Sequence, residues 1–211
     1  MRLSLLLLAC AALGSNVLRA GTLIYSNYDS SVTVDQPGGY QSGALSISYS
    51  DGVRFTVNDI PDPGFVFSLA DISFVGSVSN VADPITASLY SSVNNLPGSP
   101  LFTFAPLTLT NTTAEYHLTP SDPFTLTTGV EYWFVLNDPN QGDLNWNWAA
   151  GSDFGIATQS GEGANWVAAS YTLGSLRVTA NQVPGSVPEP STFLALGGGL
   201  MLILGKRLRK G

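Results

Sequence analysis

An antiparallel β-sandwich or jelly roll is the fold predicted for residues 21–180, with a signal helix before it and a short hydrophobic helix after it. Three observations predict it. Val, Ile, Leu, Phe and Tyr alternate with Ser and Thr in short runs, the period of a strand with one buried face. Gly, Pro, Asn and Asp cut these runs at intervals of about 8–12 residues, as in all-β domains. No stretch of this body carries the 3.6-residue apolar period of an amphipathic helix. About ten short strands so punctuated form two packed sheets.

The elements follow in chain order. Met1-Arg2 and then Leu3-Ser4-Leu5-Leu6-Leu7-Leu8-Ala9-Cys10-Ala11-Ala12-Leu13 form the charged and apolar regions of a secretory signal peptide, residues 1–20, with Leu18-Arg19-Ala20 as its cleavage site. A lipoprotein reading of Leu7-Leu8-Ala9-Cys10 would leave an apolar region of only residues 3–9, so removal with the signal peptide is the expectation. In the body, Leu45-Ser46-Ile47-Ser48-Tyr49 alternates, Asp51-Gly52 is a hairpin turn pair, and Val53-Arg54-Phe55-Thr56-Val57 alternates again. Residues 59–64 read as a Pro-rich turn. Further strands are expected over 65–75, 85–90, 101–104, 107–110, 114–118, 124–126, 130–136, 144–148, 166–168 and 176–180. Between Tyr90 and Leu101, Pro97-Gly98 is the expected type II turn, Pro fixing φ and Gly accepting a positive one. The glycine-rich stretch 151–163 is expected to be a long loop around one short strand, and 181–187 a linker.

The remaining residues, 188–211, combine three features. Val187, Pro188, Glu189 and Pro190 form a proline-bracketed motif, which keeps its neighbours out of α geometry and presents an extended strip. Residues 193–205 are apolar but carry three consecutive glycines, and as a helix they would span roughly 20 Å, short of the about 30 Å of a bilayer core. Lys206, Arg207, Arg209 and Lys210 follow, a tail that stays cytoplasmic by the positive-inside rule and leaves the body outside.

Together these three parts resemble the PEP-CTERM protein-sorting signal of exopolysaccharide-producing Gram-negative bacteria. The resemblance implies recognition by an exosortase, a membrane cysteine peptidase, and only transient insertion in the inner membrane. It implies a mature protein that ends near Pro188, at the cell envelope, the cell surface or in the extracellular matrix. A permanent tail anchor is the alternative. The centre of the body, Ile85-Thr86-Ala87-Ser88-Leu89-Tyr90 with Asn94-Asn95-Leu96-Pro97-Gly98-Ser99-Pro100-Leu101, resembles the choice-of-anchor β-domains, type R. So does Phe124-Thr125-Leu126-Thr127-Thr128-Gly129-Val130-Glu131-Tyr132-Trp133-Phe134-Val135-Leu136. That family implies an extracellular β-domain joined to varied anchors, with no catalytic residues to carry over.

Charge narrows the partners. Within 21–187 the cations are Arg54 and Arg177 alone, against fourteen carboxylates, a formal −12. Such a body has no phosphate-neutralising patch, which excludes nucleic acid. Neutral glycans, cations and proteins remain. Cys10 is the single cysteine, so thiol and disulfide chemistry have no place in a mature body.

Few residues point to chemistry. His117 is the single histidine, no Gly-x-Ser-x-Gly elbow exists, and Tyr116-His117-Leu118 sets the imidazole opposite two apolar neighbours, so it reads as a solvent-facing strand residue. One histidine also removes the usual zinc constellations. A glycosidase pair among the carboxylates is a matter of spatial separation and is not legible here. Asp138, Asn140 and Asp143 place oxygen donors around Gly142, the makings of a structural Ca²⁺ loop, although Ala149 stands where an EF-hand needs its bidentate Glu. Trp146 and Trp148, two apart, share one strand face, while Asn145 and Asn147 share the other. Exposed, the indoles would stack on sugar rings; buried, they are core. Trp133 reads as core, and Asn111-Thr112-Thr113 as a sequon without use in a bacterium.

The expectation is therefore a non-enzymatic, exported envelope or matrix protein, processed by an exosortase, with a structural or adhesive role in exopolysaccharide. No cofactor beyond that Ca²⁺ is expected. The alternatives are a carbohydrate-binding module using Trp146 and Trp148, and a hydrolase of matrix polymers.

Overall fold

The computed structural model describes residues 21–28, 40–46, 49–79, 84–139, 144–149, 154–161 and 163–185. The expected signal helix and C-terminal helix lie outside them. Among the described residues there is no helix, and hence none long and apolar enough to cross a membrane.

The described residues form thirteen strands: β1 (Thr22–Ser26), β2 (Tyr40–Ser46), β3 (Ser50–Thr56), β4 (Phe65–Val78), β5 (Thr86–Val93), β6 (Leu96–Thr103), β7 (Ala114–Leu118), β8 (Thr125–Leu126), β9 (Glu131–Asn137), β10 (Leu144–Ala149), β11 (Phe154–Gln159), β12 (Val167–Thr172) and β13 (Arg177–Pro184). They form two antiparallel sheets. The first is built around β4. Along one edge β4 pairs with β13 and then β10, along the other with β8 and β7, while β1 and β2 complete the sheet. The second has the order β12-β11-β3-β9-β5-β6.

Alternation explains the packing. In β9, Tyr132, Phe134 and Leu136 enter the core, and in β4 Phe67, Leu69, Ile72, Phe74 and Val78 do so from the other sheet. The two sheets meet face to face through aromatic rings. Phe74 lies 6.0 Å from Phe134 and 6.2 Å from Trp146, and Phe134 lies 5.8 Å from Trp146. Side chains of this size stabilise by about 1.5–3 kcal/mol each when fully buried, so this triad is a main weld between the layers.

Three local expectations change in the fold. Asp51-Gly52 is not a turn but the start of β3, because β2 pairs in the first sheet and β3 in the second. The chain switches sheets there instead of folding back on itself. Gly52 is held for space: an added Cβ would lie 3.2 Å from the Trp133 ring and 3.3 Å from Val135. The β5–β6 hairpin turns on Asn94 (φ 53°) and Asn95 (φ 59°), the paired positive angles of a type I′ turn, and not on Pro97-Gly98. Pro97 and Gly98 lie in β6, where a Cβ on Gly98 would meet the Ser91 and Val93 side chains at 2.7 Å. Finally, β13 continues through Pro184 in register with Phe65, so it takes in residues 181–184 of the expected linker. The stretch 151–163 does contain one strand, β11.

Candidate functional site

The outward faces of the sheets carry the side chains available for chemistry. On the first sheet, Asp71, Ser73 and Val75 of β4 face away from the core beside Glu115 and His117 of β7. The Tyr28 hydroxyl donates to Glu115 Oε1 at 2.8 Å and lies 3.0 Å from Ser73 Oγ. Burial, with the Glu115 carboxylate beside it, holds the Tyr28 phenol well above its ordinary range, so it is a permanent donor. His117 is exposed, as its strand parity predicts, and its Nδ1 lies 2.9 Å from Asp71 Oδ2, with Nε2 3.8 Å from Glu115 Oε1. This row ties the residues after β1 onto β4 and β7. Tyr28, Ser73 and Glu115 escaped the sequence reading because their meeting depends on long-range register.

The residues of β10 occupy different places from one another. Trp146 is 1% exposed and lies between the sheets, its Nε1 donating to the Ser175 carbonyl at 2.9 Å. Gly174 packs so tightly on that indole that an added Cβ would fall 2.4 Å from it. Asn147 is buried on the opposite face, Asn145 is half-buried, and Trp148 is half-buried. The paired indole platform expected for sugar stacking is therefore not formed, because the core claims Trp146. Trp133 is buried too, but on the outward face of the second sheet, among Val135, Ala157, Tyr90, Leu96 and Trp166. Its Nε1 donates to Ser92 Oγ at 3.2 Å.

Of the expected Ca²⁺ ligands, Asn140 and Asp143 lie outside the described residues. Asp138 is fully buried, and its Oδ2 accepts the Leu144 amide at 2.9 Å while its own amide donates to the Tyr49 carbonyl at 2.7 Å. That carboxylate binds the two ends of the β9–β10 connection together. Among the described residues no group of three or more His, Cys, Asp or Glu side chains is arranged to hold a metal.

A groove of about 260 Å³ opens on the outward face of the second sheet. Thr86, Ser88 and Tyr90 line it from β5, Val135 and Asn137 from β9, Ser50 from β3 and Gln159 from β11, together with Tyr49 and Gly163. Asn137 Nδ2 donates to Ser50 Oγ at 2.7 Å and Thr86 Oγ1 donates to Asn137 Oδ1 at 3.4 Å, which fixes the amide in place. The Gln159 amide donates to the Ala164 carbonyl, and Trp166 stands edge-on to Tyr90 at 6.1 Å. Burial, with Tyr49 beside it, raises the Tyr90 phenol pKa, so it too stays protonated. The outward parity of Thr86, Ser88 and Tyr90 was legible in the sequence. Their meeting with Asn137 and Gln159 was not.

Val187, Pro188, Glu189 and Pro190 lie outside the described residues, but their identity as a signal has independent support. Residues 186–210 match the PEP-CTERM protein-sorting motif. No curated protein and no solved structure matches the chain. A two-sheet β body is thus joined to the motif that directs a protein to export and to recognition by an exosortase.

Proposed function

We propose that this is a matrix protein: the β body works outside the inner membrane, after exosortase processing, in a structural or adhesive role within or upon exopolysaccharide. The observation that carries the reading is the sorting motif at residues 186–210, behind a body with no lysine. The acidic body, formally −12 over residues 21–187 although Asp51 and Asp138 are buried, keeps such a domain soluble and favours cation-bridged association with anionic matrix. The body resembles a choice-of-anchor domain, whose business is display, and the reading assigns it no catalytic role.

The test is made in the native host. Intact-mass measurement of the exported protein is expected to show loss of residues 193–211, and deletion of the exosortase to leave them attached. The processed protein is expected in the washed exopolysaccharide fraction. Recovery of the whole chain from the cytosol, or of all the processed protein as freely diffusing material in the medium, would defeat the proposal.

A further inference from the structure

We propose that the groove on the outward face of the second sheet binds a neutral glycan, a short run of uncharged sugar residues held by Asn137, Gln159, Tyr49 and Tyr90. The inference rests on the reading of the body as a matrix protein and adds a site and a ligand class for adhesion, beside the cation-bridged association of its acidic surface.

The chemistry of the lining selects the ligand. The body carries fourteen carboxylates, yet none of the described residues that line this groove is charged. Among those described lining residues an anionic sugar or a phosphate would find no cation, and a metal ion no carboxylate. An apolar ligand would strip water from amides, hydroxyls and phenols and return nothing. A polyhydroxylated neutral ligand satisfies both conditions, since each of its hydroxyls donates and accepts. The lining answers in kind. Asn137 uses one amide hydrogen on Ser50 and keeps the other, and Gln159 keeps its carbonyl oxygen while its nitrogen holds Ala164. Tyr49 and Tyr90 bring two aromatic rings for the apolar faces of the sugars.

Size and rigidity agree. The groove's 260 Å³ is just below the about 300–1,000 Å³ of sites for drug-sized molecules, which suits one or two sugar residues of a chain that runs on across the sheet. Most of the donors stand on paired strands, β3, β5, β9 and β11, and Asn137 is braced by Ser50 and Thr86 before any ligand arrives. Such preorganisation lowers the entropic cost of binding.

The test uses the full chain, purified in a detergent without a sugar headgroup and titrated by calorimetry and tryptophan fluorescence. The probes are maltohexaose, cellohexaose, mannohexaose and galactohexaose, with a hexamer of galacturonic acid as the anionic counterpart. Saturable binding of at least one neutral oligosaccharide is expected, and none of the galacturonate. Gln159→Ala is expected to weaken binding about tenfold, and Ser88→Tyr, which fills the groove from an outward strand position, to abolish it. Thermal melting shows whether each variant is folded; should Ser88→Tyr melt early, Gln159→Ala carries the test alone. No saturable binding of any neutral probe, equal binding of the galacturonate, or neutral binding untouched in a folded variant overturns the proposal. The export and matrix measurements in the host are independent of these titrations, so failure of the groove is distinguishable from failure of the matrix reading.

Discussion

Replacing Asp51 by asparagine is expected to stabilise the protein, and to do so only above the acid range. Asp51 lies in β3 on the same face as Val53 and Phe55, 2% exposed, and its Oδ1 has no hydrogen-bond partner. Burial alone raises its pKa from 3.8 to about 7. In the unfolded chain the proton leaves near pH 3.8, whereas the folded protein retains it to about 7. Between those values the folded state binds more protons, so stability falls as pH rises through the window and levels off above it. At roughly 1.4 kcal/mol per pH unit the full penalty is about 4 kcal/mol at pH 8, and essentially nothing at pH 3. The amide introduced by the substitution would still be buried and unsatisfied, a cost shared with the protonated acid, so the informative quantity is the difference between the two pH values. Melting of wild type and Asp51→Asn across pH 3–8 measures it. At about 2–4 °C per kcal/mol for a domain of this size, the variant should melt roughly 8–16 °C above wild type at pH 8 and beside it at pH 3. A melting difference independent of pH would refute the argument, because it would mean that the Asp51 carboxylate is not desolvated.

Gly174→Ala would drive a methyl group to 2.4 Å from the Trp146 indole, which is itself walled in by Phe74 and Phe134. A loss of about 1–3 kcal/mol is expected, read as a lower melting temperature and a changed near-ultraviolet tryptophan signal; an unchanged signal would show that the indole is not seated there. In the Asn94-Asn95 turn, Asn95→Gly is expected to raise stability by a few tenths of a kcal/mol and Asn95→Val to lower it by about 1–2 kcal/mol, since a β-branched residue resists a φ of 59°. Urea denaturation of the pair checks this, and the same sign for both would place the turn elsewhere.

Much of the architecture was legible because strand periodicity is a local property. Tyr116 and Leu118, on either side of His117, are inward by alternation alone, whereas the apolar run 130–136 does not say which of its two faces is inward, and Trp133, read as core, lies on the outward one. Turn chemistry was less dependable. Asp51-Gly52 and Pro97-Gly98 have turn residues in turn-like order, yet both lie in strands, where neighbouring side chains would crowd a Cβ, closely at Gly52 and severely at Gly98. Their conformational signal and their packing signal look alike in a sequence. The candidate sites fared unevenly for the same reason: parity put Trp146 and Trp148 on one face but did not say that Trp146 would pack against Phe74 and Phe134, nor that Trp133 would be covered from outside by Tyr90, Leu96 and Trp166.

The amino-acid order by itself determined an all-β body with a strongly acidic, lysine-free composition and a sorting motif at its end, because composition, period and short motifs are written in consecutive residues. Only the tertiary structure decided which sheet each strand joins, which outward face is covered, and where a groove whose described lining is uncharged opens in an anionic body. Those outcomes depend on pairings between strands far apart in the chain, such as β3 with β9 and β11, and no local pattern encodes a partner that distant.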